Sequence, residues 1–259
     1  SLNLSDSDGG FFFGSAVSLD SGRLVVGAAT SSGRNSSAAG SGAVYLFTFG
    51  DPASFLDARL FYVLGSGYQG FSNYTVPGLS DGTIHQFGTS VALDGLRLAV
   101  GSAETPDTTG GLNTGAVYLF SFADDAFGAP LLEGIIGLGY SGGKNVSVAT
   151  LDSGDRFGEA VSLRGNRLAV GASLDDGVSN TVTDAGAVYL FTFADANFGG
   201  ATLQATIGHG YVGGKNLWPT EIGAGDQFGF AVSLDGNRLA VGAPRDDGAS
   251  DAQSNAGAV

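Results

Sequence analysis

The chain has 259 residues, of which 45 are glycine and 18 are phenylalanine, while cysteine and methionine are absent. Its 25 acidic residues outnumber the 11 basic ones, and the net charge of −14 argues against nucleic acid, because phosphate contacts need clustered lysine and arginine. Without cysteine there is no disulfide framework, and no apolar run is long enough for insertion into a membrane as a helix.

A sequence skeleton recurs four times at intervals of about 70 residues. Each copy contains a Phe-Gly pair, then a Val-Gly segment at a fixed spacing, then a Gly-Ala-Val segment. Such long self-similarity indicates stacked units that cannot bury their apolar faces alone. The framework residues are Phe13, Gly14 and Gly27 in the first copy, Phe87, Gly88 and Gly101 in the second, Phe157, Gly158 and Gly171 in the third, and Phe228, Gly229 and Gly242 in the fourth.

The third copy shows the predicted strands most clearly. Residues 157–163 and 167–172 form two strands, joined by an Arg-Gly-Asn turn of the kind that connects antiparallel strands. Residues 185–193 are apolar on both faces, as expected for a strand buried between neighbouring sheets. Residues 201–208 alternate apolar and polar side chains and are the outer strand. Four antiparallel strands with both faces buried describe a β-propeller blade.

The predicted fold is therefore an all-β propeller of four-stranded antiparallel blades of about 70 residues, with about three and a half blades in this chain. Repeated loops carry one tyrosine each, at Tyr68, Tyr140 and Tyr211, and we expect these loops to pack across the gap between blades or to contact another chain. The predicted boundaries are 1–10 for the end of a preceding blade or a linker, 11–65, 85–137 and 155–208 for blades 1 to 3, 66–84, 138–154 and 209–225 for the loops between blades, and 226–259 for an incomplete fourth blade.

The Phe-Gly pair, the Val-Gly-Ala segment and the Gly-Ala-Val-Tyr segment resemble FG-GAP repeats, which are named for these motifs. Only the last copy has the full Gly-Ala-Pro, at residues 242–244, but the resemblance covers all four copies. It implies propeller blades like those of integrin α-chain heads and of bacterial surface and secreted proteins. It also implies an extracellular or cell-surface location.

Calcium-binding FG-GAP repeats carry an Asp-rich loop between the FG strand and the GAP strand. Here four-residue turns such as 20–23 occupy that place, and one Asp with one Arg cannot supply the roughly six to eight oxygens that Ca²⁺ takes. The usual calcium site is therefore not carried over. Calcium remains a candidate cofactor at the acidic loops after the GAP segment, with solvated Asx turns as the alternative. These loops contain Asp175, Asp176 and Asp184 in the third copy, and Asp246, Asp247 and Asp251 in the fourth.

The sequence does not favour an enzyme, because cysteine is absent and the two histidines, His85 and His209, occupy different positions of the repeat. We expect a non-catalytic structural or adhesive segment of a large exported bacterial surface or filament-forming protein. The alternative is an integrin-like head that recognises a protein or glycan, with Trp218 and Glu221 as the candidate contact.

The expected partners are other copies of this chain or further repeats of the same polypeptide. The chain starts at Ser1, contains no methionine and stops inside a predicted third strand, so we expect it to be part of a longer polypeptide. Three arrangements remain open: part of a larger ring, half of a ring completed by a second copy, or a window on an open array. An unpaired edge of the last sheet would invite strand addition.

Overall fold

The computed structural model describes residues 12–33, 37–68, 72–248 and 253–259. Regular structure in these residues is β-strand, arranged in three sheets of four or five strands and one hairpin, which fits a propeller-like repeat fold. Within these ranges no helix is long and apolar enough to span a membrane. The predicted segment 1–10 lies outside the described residues.

Each copy of the repeat contributes one sheet, and the strands within a sheet follow chain order. The first sheet consists of β1 (Phe13–Asp20), β2 (Arg23–Ala28), β3 (Ala43–Thr48), β4 (Arg59–Gly65) and β5 (Asn73–Thr75). The second consists of β6 (Phe87–Asp94), β7 (Arg97–Ser102), β8 (Ala116–Ser121), β9 (Leu131–Gly137) and β10 (Val146–Ser147). The third consists of β11 (Ala160–Arg164), β12 (Arg167–Ala172), β13 (Ala187–Thr192) and β14 (Thr202–Gly208). The separate hairpin consists of β15 (Ala231–Asp235) and β16 (Arg238–Gly242).

A fifth strand, which the sequence did not predict, completes the first two sheets. β5 and β10 pair in parallel with β4 and β9, whereas the other strands of these sheets pair antiparallel. The loops predicted at 66–84 and 138–154 thus return to the outer edge of their own sheets. The physical reason is that an outer strand otherwise leaves backbone groups unpaired. The side chain of Asn145 in the second loop accepts a hydrogen bond from the backbone N–H of Ile135 in β9, at 2.8 Å.

The Phe-Gly pair of the third copy lies outside the strand predicted at 157–163, since β11 begins at Ala160. Phe157 instead forms a parallel bridge with Gly115 of the preceding sheet. The backbone leaves the extended conformation here, with φ of 58° at Arg156 and 93° at Gly158. The pair therefore belongs to the junction between sheets.

The apolar core lies between successive sheets. The third strand of the third sheet, β13, is largely buried on both faces, as predicted. The phenylalanine of the motif packs edge-to-face on the tyrosine of the third strand, with ring centroids 5.3 Å apart for Phe87 and Tyr118 and 5.4 Å apart for Phe157 and Tyr189. Buried residues of successive sheets belong to one cluster, for example Val117 of the second sheet and Val161 of the third, so the sheets bury one another's faces, as stacked repeats require.

Candidate interaction surface

In each of the strands β2, β7 and β12, the glycine that follows the valine contacts the glycine of the Phe-Gly pair in the following copy. A Cβ added to the first glycine of each pair would lie about 2 Å from the carbonyl oxygen of the second, far inside van der Waals contact. No side chain fits at these positions, so the two motifs of the repeat meet at each junction between sheets. The distance from the added Cβ to the carbonyl oxygen is 2.0 Å for Gly27 and Gly88, 1.9 Å for Gly101 and Gly158, and 1.9 Å for Gly171 and Gly229.

A backbone hydrogen bond accompanies each glycine contact. The N–H of the motif phenylalanine donates to a carbonyl of the loop that precedes the third strand of the previous sheet. The residue before each phenylalanine has a positive φ, which turns the chain into this bridge. The three bonds are Phe87 N to Ser41 O at 3.0 Å, Phe157 N to Thr114 O at 2.9 Å, and Phe228 N to Ala185 O at 3.0 Å.

The four-residue turns, where calcium-binding repeats carry their acidic loop, also join neighbouring sheets. The carboxylate of Asp20 accepts a hydrogen bond from the N–H of Gly95 at 2.8 Å, and Asp94 accepts one from Gly165 at 2.9 Å. The third copy has Arg164 in place of the aspartate. The aspartate therefore acts as a hydrogen-bond acceptor for the next repeat and not as part of a cation site.

The arginine that ends each turn extends the same contact. The guanidinium of Arg23 lies over the ring of Phe127 in the next copy, 5.6 Å from its centroid. Arg97 lies over Phe198 at 5.5 Å and forms an ion pair with Asp94 at 2.6 Å. Both arginines are thus held between an acid of their own copy and an aromatic ring of the following one.

A serine in the first strand adds a further bond between copies. The hydroxyl oxygen of Ser18 accepts a hydrogen bond from the N–H of Leu93 at 3.0 Å. Ser162 accepts one from Leu234 at 2.9 Å, at the same position of the repeat. The junction therefore has a fixed direction, with glycine, aspartate and serine on one side and the Phe-Gly strand on the other.

The first copy presents the Phe-Gly side of this junction to solvent, and we call it the head surface: Phe13, Gly14, Val17 and Leu19 of β1. Val17 is 64% exposed, while its equivalent Val91 is 8% exposed under the preceding sheet. Phe13 and Leu19 are exposed as well, and no described atom lies within 4 Å of a Cβ placed on Gly14. An apolar strand face that is buried in the other copies is open here.

The last copy presents the opposite side, which we call the tail surface: Ser233, Asp235, Gly242 and Gly257. A Cβ placed on Gly242 would have its nearest neighbour at 3.5 Å, the Cβ of Ala231 in the same hairpin. Ser233 and Asp235 are exposed. The tail surface therefore has the receiving groups of the internal junctions, and no described residue fills it.

Asp175, predicted as a metal ligand or a solvated turn residue, is a buried hydrogen-bond acceptor. It is 1% exposed and accepts bonds from the hydroxyls of Tyr189 at 2.6 Å and Tyr211 at 3.1 Å, and from the N–H of Gly177 at 2.8 Å. Burial raises the pKa of this carboxyl. The Asx-type bond to Gly177 agrees with the sequence, but the solvation expected for it is wrong.

The other predicted calcium ligands are occupied by local backbone bonds. Asp176 accepts the N–H of Asp184 at 2.8 Å, and Asp246 accepts that of Gly248 at 2.8 Å. In the described ranges, no group of three or more His, Asp or Glu side chains could hold a metal ion. Calcium binding therefore stays a prediction. Of the remaining predicted ligands, Asp247 accepts the N–H of Asn255 and Asp251 lies outside the described residues.

The three loop tyrosines lie on their own sheets, whereas other residues of the loops pack across the gap between blades as expected: the ring of Tyr74 lies edge-to-face on Phe120 of the next sheet, 5.9 Å between centroids, and its hydroxyl accepts the N–H of Leu132. The hydroxyls of Tyr68 and Tyr45 lie 3.2 Å apart, and those of Tyr211 and Tyr189 lie 3.1 Å apart. Tyr140 forms the same pair with the third-strand tyrosine of its sheet. The physical reason is that each loop pairs with its own outer strand, which brings its tyrosine over the neighbouring strand. The recurrence of both tyrosines in each copy is the signal that could have revealed the pairs.

Trp218 is 40% exposed, and its ring centroid lies 4.8 Å from that of His209. Glu221 is exposed, and its carboxylate accepts a hydrogen bond from Thr220 at 3.3 Å. The predicted pair of Trp218 and Glu221 is not brought into direct contact. The structure places an exposed aromatic ring against an imidazole that the sequence had left without a role.

Three buried polar residues, whose burial the sequence did not predict, occupy one position of the repeat just before the Phe-Gly pair: His85, Asp155 and Asp226. His85 lies 2.9 Å from Asp81 and 3.4 Å from the hydroxyl of Thr105. Thr105 is buried and donates to Ser102 at 2.6 Å, and the hydroxyl of the partly buried Thr83 lies 3.0 Å from the imidazole Nε2 of His85. Asp155 is buried at the equivalent position, and burial raises its pKa to about 8.

A family model described as FG-GAP repeat matches residues 1–47, 80–120, 151–191 and 215–259. No curated protein sequence matches the chain significantly. Among solved structures, the computationally designed Ika4 protein aligns at a TM-score of 0.43 and 12% identity, over 91% of this chain and 88% of that one. The computationally designed Ika8 protein aligns at a TM-score of 0.41 and 12% identity, over 89% of this chain and 42% of that one.

Proposed function

This chain belongs to the FG-GAP repeat family, and from that premise we propose that it is a structural, adhesive repeat segment of a large exported bacterial surface or filament-forming protein. FG-GAP repeats typically occur in extracellular or surface proteins and generally lack catalytic activity. The segment would act through contacts between its blades and between chains. The blade boundaries proposed from the sequence, at 11–65, 85–137, 155–208 and 226–259, are the units that stack.

The observation that carries the proposal is the use of the motif residues. The Phe-Gly glycine and the Val-Gly glycine contact each other across three successive junctions, and the turn aspartates and strand serines bond to the next copy. The recurring residues therefore serve stacking.

The test has two parts: locating the natural polypeptide, and asking whether the purified segment competes with it in cell attachment. An antibody against this segment should label intact cells and the culture medium, and it should detect a polypeptide several times larger than 25.9 kDa. The purified segment should block attachment of those cells to their surface or to one another. A cytosolic polypeptide with no effect on attachment would contradict the proposal.

One observation favours a second candidate, an integrin-like head that binds a protein or glycan. Trp218 is exposed on His209, and exposed aromatic rings are common contacts for such ligands. If this candidate is right, a protein or glycan array should give a signal that the Trp218→Ala variant loses. The matched control is Phe55→Ala, which removes another exposed ring from a different loop. Retention of binding by Trp218→Ala would remove the candidate.

A further inference from the structure

We propose that the cleft between the second and third sheets binds a sugar acid, whose carboxylate pairs with Arg97. The cleft has a volume of about 580 Å³, and its lining includes Arg97, Ser121, Phe122, Asn166 and residues 194–197. That volume lies in the range of small-ligand sites, about 300–1,000 Å³. The proposal does not depend on the proposed function, because stacking of the repeats needs no ligand.

The junction between the first and second copies shows what an arginine at this place binds. Arg23 forms an ion pair there with Asp20 of its own turn, at 3.1 Å. Its Nη1 lies 3.5 Å from the carboxylate of Asp125, which belongs to the loop after β8 in the next copy. The guanidinium is therefore shared by two carboxylates, one from each copy.

The junction between the second and third copies keeps the arginine but lacks the second carboxylate. Ala196 stands where the first junction has Asp125, because each lies two residues before the phenylalanine that the arginine covers. The hydrogen bonds of Arg97 come from its Nη2, which donates to Asp94 and to the carbonyl of Gly165. Its Nε and Nη1 donate to no residue in the described ranges. The cleft lies beside Arg97 and Ala196, where a ligand carboxylate can take the place of the missing one.

Charge differences between the two junctions favour an anion. The loop has one acid fewer at the second junction, and the next turn begins there with Arg164, where the first junction has Asp94. Arg164 lies 3.5 Å from Asp94, which also pairs with Arg97. The charge of Asp195, which also lines the cleft, is offset in part by Lys144. Since Asp94 is shared by two guanidinium groups, the site can accept a further negative charge.

The remaining polar groups of the cleft suit the hydroxyl groups of a sugar. Asn166 and Asn197 are exposed and stand where the first junction has Leu96 and Ala126. The side-chain oxygen of Asn166, the side-chain amide of Asn197 and the Oδ2 of Asp195 form no hydrogen bond with described residues. Hydroxyl groups donate and accept, so they can pair with an amide and with a carboxylate. A hexuronate, with one carboxylate and several hydroxyls, matches this set.

The experiment measures binding of D-glucuronate to the 259-residue chain by isothermal titration calorimetry and saturation-transfer NMR. D-Glucose is the matched neutral ligand, and a short aspartate peptide is an acidic ligand without a sugar ring. Wild type should bind glucuronate about tenfold more tightly than glucose, or better. An oligosaccharide of uronic acids then separates the two sources of this chemistry: binding at least as tight as that of glucuronate indicates a glycan chain, and weaker binding indicates a free sugar acid.

Ala196→Asp supplies the carboxylate that the first junction has, so it should pair with Arg97 and weaken glucuronate binding by about tenfold or more. The matched control is Ala126→Asp, which adds the same charge to the equivalent loop of the first junction and should bind like wild type. Asn197→Ala, which copies the first junction, should weaken binding by about two- to tenfold. Thermal unfolding checks that all three variants are folded.

A wild type that binds glucuronate no better than glucose overturns the proposal, as does binding that Ala196→Asp leaves unchanged. Tighter binding of the aspartate peptide than of glucuronate would assign the cleft to an acidic side chain of a protein, and this also overturns it. Each of these results leaves the proposed function intact, since the location and adhesion of the natural polypeptide are measured separately.

Discussion

The carbonyl oxygen of Gly158 lies 1.9 Å from the point that a Cβ on Gly101 would occupy. Gly101 belongs to the second copy of the repeat and Gly158 to the third, and both are motif residues. The contact explains in physical terms why two motifs distant in the chain recur together. Each is the site at which its neighbour's backbone must pass without an intervening side chain.

Replacing Asp94 by alanine should lower the free energy of unfolding by about 1–2 kcal/mol, because the carboxylate accepts the N–H of Gly165 and pairs with Arg97. The matched control is Asp235→Ala, the same turn position in the last copy. That side chain is exposed, so a change within about 0.5 kcal/mol is expected for the monomeric chain. Urea denaturation of both variants measures the difference. Equal losses would show that the bond between the turns contributes nothing.

Replacing Asp155 by asparagine should flatten the pH dependence of stability. The pKa of this carboxyl is about 8 in the folded chain, raised from 3.8 chiefly by burial, so the folded state holds a proton that unfolding releases at neutral pH. The stability from this group is complete below the unfolded pKa and is lost as the pH rises through about 8. The asparagine cannot ionise and still accepts the N–H of Asp152.

The measurement is urea denaturation of wild type and Asp155→Asn between about pH 4 and pH 9. The stability of wild type should fall relative to that of the variant as the pH rises, most steeply between the unfolded pKa of 3.8 and the folded pKa of about 8, and it should level off above the folded pKa. Asp235→Asn, at an exposed position, should show no such trend. Parallel curves for wild type and Asp155→Asn would contradict the account.

Replacing Tyr189 by phenylalanine should cost about 1–3 kcal/mol, because it removes the 2.6 Å hydrogen bond to Asp175 and leaves a buried carboxyl less satisfied. The same change at Tyr62 is the control, since that hydroxyl bonds to no residue in the described part of the chain. Thermal unfolding should separate the two variants. If they unfold alike, the hydroxyl of Tyr189 does not stabilise the acid.

The sequence predicted the fold class because glycine spacing and alternating apolar residues are local signals. It missed β5, since residues 73–75 are too short and polar to be recognised as a strand, and their pairing partner lies in β4. It also missed the burial of Asp175. That carboxylate is held by Tyr189 and Tyr211, which come from two other segments and approach it only after folding.

The sequence predicted only part of the junction between copies of the repeat. The sequence identified Gly101 and Gly158 as framework residues but could not show that they touch, because nothing local couples positions in different copies. The sequence likewise showed only part of the role of the two turn acids, Asp20 and Asp94. Their spacing excluded a calcium loop, whereas their role as acceptors for the next copy depends on how the sheets stack.

The central claim is that a motif glycine matters where another copy packs on it. It is tested most directly by the free energies of unfolding of Gly101→Ala and Gly242→Ala, measured at a concentration where wild type is monomeric. Gly101→Ala should lose at least about 2 kcal/mol, because the added Cβ meets backbone that cannot move aside. Gly242→Ala should change by less than about 0.5 kcal/mol, since its Cβ meets only ordinary contacts. Equal losses at the two positions would mean that these glycines serve their own strands and would contradict the account.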